Sequence, residues 1–126
     1  MFFKRFWPAI VWAIVILLLC SAPGKSIPST DWMRWFNLDK WIHAFFYFVL
    51  FLLLYRGYRN ERNISVYFLL SLFFCISYGI GIELIQAFFL PDRSGDVPDA
   101  VANSMGAIFA ILGLRLLNKK WPWKAT

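Results

Sequence analysis

Four long apolar runs, Phe6–Ala22, Trp41–Tyr55, Ile64–Leu90 and Val97–Leu117, take up most of this chain. A helix rising 1.5 Å per residue needs about 20 residues to cross a hydrocarbon layer about 30 Å thick. Each run approaches or exceeds that length once the second is started at Leu38 or Asp39, with its polar side chains turned inward. Lipid offers a peptide group no water to bond, and a helix satisfies its whole backbone within one segment. We therefore expect an all-α protein: a four-transmembrane-helix bundle with helices at about 6–22, 39–55, 64–90 and 97–117, forming a single transmembrane domain over residues 1–126. Composition agrees, because 60% of residues are hydrophobic, well above the roughly 45–50% of a soluble domain. With the helices filling nearly the whole chain, any activity is expected to reside in the bundle.

A net charge of +6 would suit a nucleic-acid binder if it were spread over one surface, but nine of the 13 basic residues fall at three places. Lys4 and Arg5 precede the first helix, Arg56, Arg59 and Arg62 separate the second from the third, and Arg115, Lys119, Lys120 and Lys124 follow the fourth. In a four-helix topology these segments share one side of the membrane. Basic residues accumulate on the cytoplasmic side, so both termini are expected in the cytoplasm, with no nucleic-acid partner. Of the seven acidic residues, only Glu61 falls on that side.

The apolar start after Met1-Phe2-Phe3-Lys4-Arg5 has the outline of a secretory signal. A cut after Ala22 would place Pro23 first in the mature chain, and Leu19 precedes Cys20 where a lipoprotein signal wants a small residue, so an uncleaved anchor is expected. Between the first two helices, Ser29 or Thr30 can cap a short helix whose Trp32, Trp35 and Phe36 share one face. This segment is expected to be an amphipathic interfacial helix in the first outer loop, with Trp121 and Trp123 as an aromatic belt at the opposite surface. Cys20 and Cys75, isolated in different helices, are expected to be packing residues. So are the small residues Ala102, Gly106 and Ala110, which recur every fourth position in the last helix.

Against this background eight polar residues stand out: Asp39, Lys40, His43, Glu83, Gln86, Arg93, Asp99 and Asn103. An ionisable side chain at membrane depth costs on the order of 2.5–3.5 kcal/mol on insertion scales, and is rare unless it pairs, lines a cavity or does chemistry. The topology puts all eight at the outer end of the bundle. Spacings of three and four (39 and 43; 83 and 86; 99 and 103) give each helix one polar face. Counting rise per residue from Trp41, Leu90 and Val97, Glu83 and Asn103 lie about 10 Å deep and His43, Gln86 and Asp99 about 3–6 Å deep. Lys40 and Arg93 are expected at the mouth of a pocket with an acidic floor.

The same residues carry a resemblance. Asp39-Lys40 with His43 at a helix start, Glu83-Leu84-Ile85-Gln86, Arg93, and Asp99 with Asn103 and Gly106 resemble the pattern of the VanZ-like membrane proteins over about residues 10–117. That family is associated with resistance to teicoplanin-type glycopeptide antibiotics, so the resemblance implies a role at the bacterial cell envelope.

Two functional readings follow. In the first, the chain is a small membrane-embedded hydrolase or transferase acting on a cell-envelope lipid or glycan. His43, Glu83 and Asp99 are then the candidate catalytic acids and bases, and Asp39, Lys40, Gln86, Arg93 and Asn103 the candidate ligand-binding residues. In the second, it binds or carries a lipid-linked envelope precursor or the glycopeptide without turnover, and the polar residues serve mainly as interhelical contacts. A metal held by His43, Glu83 and Asp99 would need ligands from three helices with no local spacing motif; no metal is expected, and no cofactor is indicated.

Overall fold

A computed structural model describes residues 2–21, 38–58, 62–89 and 97–117. The segment expected to form the interfacial helix lies outside the described residues, as do Arg93, Asp96, Trp121 and Trp123. The described residues form four helices: α1 (Phe2–Cys20), α2 (Leu38–Tyr58), α3 (Ile64–Phe89) and α4 (Val97–Leu117). Each is long and apolar enough to cross a membrane.

Local chemistry explains where they begin and end. α1 starts a turn earlier than hydropathy suggests, with Pro8 inside it. Pro8 stands in the second turn, past the first turn where proline costs nothing, and so forgoes the bond to the Lys4 carbonyl. α2 runs past Tyr55 to include Arg56, whose cation suits the negative end of a helix dipole. At the start of α3 the Asn63 carbonyl accepts hydrogen bonds from the amides of Val66 (3.0 Å) and Tyr67 (3.3 Å), placing asparagine where it is a favoured cap. Pro98 and Asp99 open α4, where proline loses no helical bond and a carboxylate meets the positive end of the dipole.

The bundle is an assembly of α2, α3 and α4 with α1 docked on its α2–α3 edge; α1 does not touch α4 among the described residues. The most extensive contact is between α2 and α4, which run parallel because α3 carries the chain back between them. Small side chains bring them together. A Cβ added at Gly106 would overlap the Ala44 carbonyl, and Ala102, Ala107 and Ala110 are buried on the same face of α4. Without a hydrophobic force between helices in lipid, such close approach and the dispersion contacts it allows hold them together.

The interior is aromatic and tightly closed. Tyr47, Leu50, Phe51, Ile16 and Cys75 are fully buried, and the Phe51 ring meets Phe68 edge-on at 5.1 Å between centroids. Outward, Leu69, Phe73, Ile80, Phe88, Val101 and Ile108 are exposed on α3 and α4. A water-facing surface rarely carries so much apolar area in one piece; facing lipid it costs nothing. The protein is a multi-pass membrane protein.

Candidate functional site

The polar residues singled out in the sequence gather at one end of the bundle, mostly along the α2–α4 seam. Lys40 and Asp99 form a salt bridge, Nζ to Oδ1 3.1 Å, with both side chains partly exposed. One turn deeper, His43 Nδ1 and Asn103 Oδ1 are 3.1 Å apart. Below that, Ala44 and Gly106 close the seam backbone to backbone. These contacts share one register, since parallel helices in contact advance together.

The second rung bears on the tautomer of the imidazole. An amide oxygen only accepts hydrogen bonds, so in neutral His43 the proton resides on Nδ1, which donates to Asn103 Oδ1. Nε2 is left with its lone pair. Asn103 therefore does for His43 what a carbonyl or carboxylate partner does elsewhere: it selects one tautomer and holds the ring in place.

Asn103 is itself 1% exposed. It packs over Gly79 of α3, where an added Cβ would stand 3.2 Å from both Asn103 Cβ and Nδ2 and 3.5 Å from the Tyr47 ring. Tyr47 and Asn103 thus converge on the same glycine. Their remaining polar atoms, Tyr47 Oη and Asn103 Nδ2, are buried and make no hydrogen bond among the described residues. Glu83, 7% exposed, lies four residues beyond Gly79 and so one turn above it on the same face of α3. It is close enough to Tyr47 for the two groups to interact electrostatically. Tyr47, Glu83 and Asn103, one residue from each of three helices, thus supply buried polar groups at this end of the bundle.

Gln86 is placed differently. Its Nε2 donates to the Cys20 carbonyl at 2.8 Å, one of the last carbonyls of α1, which have no partner within their own helix. Gln86 thereby ties α3 to α1 and stands apart from the two seam rungs. The sequence tiers differ from the structure in one further respect. Rise per residue grouped His43 with Asp99 and Gln86, whereas the register set by Gly106 against Ala44 carries Asn103 up to His43. Asp39 lies in the first turn of α2, and Arg93 lies outside the described residues. His43, Glu83 and Asp99 do not gather as a metal-binding set among the described residues, and Asp99 is engaged with Lys40 instead.

Tyr47 is the residue that sequence reasoning passed over. Its signal was present: it follows His43 by four residues, so any face of α2 that presents His43 to the interior presents Tyr47 one turn deeper. A tyrosine in an apolar run reads first as bulk, and only its buried hydroxyl distinguishes it here.

Comparison with curated proteins and with solved structures finds no match for this chain. The sequence profile of the VanZ/LLP1 family, in contrast, matches residues 2–118, spanning all four helices and every residue of the site. The chain is a member of the VanZ/LLP1 family of membrane proteins.

Proposed function

We propose that the chain acts at the extracytoplasmic face of a bacterial inner membrane, with both termini in the cytoplasm, as a small hydrolase or transferase working on a cell-envelope lipid or glycan. The observation that carries this reading is the His43–Asn103 hydrogen bond, which leaves Nε2 as a proton acceptor held by a buried partner. In the mechanism that follows, His43 takes a proton from the attacking group and returns it to the leaving group. Lys40, already oriented by Asp99, presents positive charge to a phosphate or carboxylate, with Arg93 as a second cation. Glu83, Tyr47 and Asn103 keep buried polar groups at the same end of the bundle.

The test is direct. Purified protein in lipid nanodiscs is offered polyprenyl phosphates, lipid-linked glycans and peptidoglycan precursors, and products are followed by mass spectrometry. Conversion of one of them is expected, falling in His43→Gln by about 10²–10⁴, the usual contribution of a positioned acid–base group. No conversion of any of the three classes overturns the reading.

A second reading rests on the Lys40–Asp99 pair, in which the site's charges neutralise each other. Here the chain binds an envelope lipid or a teicoplanin-type glycopeptide without turnover, and the rungs act as interhelical contacts. Saturable binding of an unchanged ligand, weakened in Lys40→Ala, distinguishes this reading from catalysis.

A further inference from the structure

A cavity lies apart from the polar seam, on the α1 side of the bundle. Between α1 and α3, with α2 at its back, runs an open groove of about 670 Å³. This lies within the roughly 300–1,000 Å³ typical of ligand pockets. On α1 its wall is a helical stripe at Phe6, Ala9, Ile10, Ala13, Ile14 and Leu17. The opposing wall on α3 includes Leu70, Phe74, Ser77 and Tyr78. Two hydroxyls that would make the lining polar are already used: Ser71 Oγ donates to the Tyr67 carbonyl, and Tyr78 Oη donates to the Ala13 carbonyl. Apart from the hydroxyls of Ser77 and Tyr58 the surface left is hydrocarbon, and it opens sideways between lipid-facing residues such as Ile10 and Phe73.

The groove's end supplies a second, independent feature. At Phe6 and Tyr58, whose rings meet at 4.6 Å, it reaches the end of the bundle opposite the His43 site. There Tyr58 also stacks on Tyr67 at 4.5 Å. Exposed cations lie at this end of the helices: Arg5, one turn below Ala9 on α1; Arg56, one residue before Gly57 at the close of α2; and Arg62, leading into α3. An apolar channel that ends in tyrosines and then in arginines has the polarity of an anionic phospholipid: chain, interface, phosphate. Basic side chains at a membrane surface attract such headgroups by about 1 kcal/mol each, and arginine adds paired hydrogen bonds to phosphate oxygens.

We propose that the α1–α3 groove is a binding site for an anionic phospholipid, with one acyl chain lying between the helices and the phosphate held by Arg56 and Arg62 together with Arg5. This site is separate from the His43 site and independent of what that site does. Its lipid acts as a structural ligand that fills the space α1 and α3 leave between them.

Native mass spectrometry of the protein in detergent tests it, with phosphatidylglycerol and phosphatidylcholine of identical chains as probes. Phosphatidylglycerol is expected to bind saturably and more tightly, with the preference falling roughly 30-fold in Arg56→Gln/Arg62→Gln. Ser77→Phe, which adds a ring on an exposed position inside the groove, is expected to weaken both lipids alike. High salt applied to the unaltered protein should reduce the preference in the same direction as the arginine variant, which provides a readout that needs no mutant to fold. Equal binding of the two lipids overturns the proposal, as does binding unaffected by Ser77→Phe. Full competition by glycerophosphoglycerol, which has the headgroup without chains, overturns the groove's part in it.

Discussion

This bundle contains two pairs of parallel helices, and it treats them in opposite ways. α2 and α4 are pressed together until one backbone meets the other at Ala44 and Gly106. α1 and α3 touch little and leave a groove of about 670 Å³ between them. The contrast is partly one of side-chain size: alanine, glycine and asparagine bring the first pair together, whereas Phe6, Leu17, Leu70, Phe74 and Tyr78 stand among the residues along the second. It is also one of chemistry. Across the close pair, side chains bond side chains, Lys40 to Asp99 and His43 to Asn103. Across the wide pair, long side chains reach backbone carbonyls, Tyr78 to Ala13 and Gln86 to Cys20. Side-chain pairs at short range can hold a reactive group in one orientation. Long side chains reaching backbone fasten a helix while leaving room beside it.

The largest expected effect lies in the close pair's chemistry. His43→Gln should lower turnover about 10²–10⁴-fold with little change in unfolding, while Asn103→Leu should lower turnover and also destabilise, because it removes the ring's partner from a buried position. If both variants turn over substrate as the parent does, the seam is packing only.

Next comes the seam's spacing. Gly106→Val must push α2 from α4 and is expected to cost on the order of 1–3 kcal/mol or more, read by thermal unfolding in detergent. Gly113→Ala is the control. The nearest atom to its added Cβ, on the Phe48 ring, is 4.0 Å away, so it should unfold no more easily than the parent, with a gain of up to about 1 kcal/mol from helix propensity. Equal behaviour of the two variants would break the comparison at its root.

Smaller is the coupling of Lys40 to Asp99. A double-mutant cycle with Lys40→Met and Asp99→Leu should return about 0.5–2 kcal/mol, less than a dry pair would, because both side chains keep some contact with solvent.

The smallest effect belongs to the wide pair. Gln86→Leu and Tyr78→Phe should each cost about 0.5–1.5 kcal/mol, and the loss should appear as faster hydrogen exchange in α1 alone. Exchange rising equally in α4 would show that α1 is no separate layer.

Much of this fold was legible in the sequence because hydropathy reports a local property. The four spans and the gathering of Lys40, His43, Glu83, Asp99 and Asn103 at one end follow from run lengths and from helices that alternate in direction. What the sequence did not reveal depends on distance between helices. The pairing of His43 with Asn103 needs the register of α2 on α4, and that is fixed by a missing Cβ at residue 106. The partner of Gln86 is a backbone carbonyl, which every residue possesses and no sequence pattern marks. The α1–α3 groove is a property of space between side chains, and composition has no term for it.

The parallel pairing of α2 with α4 has a consequence for biosynthesis. Lys40 and Asp99 are 59 positions apart, and His43 and Asn103 are 60 apart. At a translation rate of about 5–20 residues per second, α2 is made roughly 3–12 s before its partners exist. Throughout that interval neither side chain has the α4 partner it meets in the finished bundle. The arrival of α4 is the step at which both contacts can form.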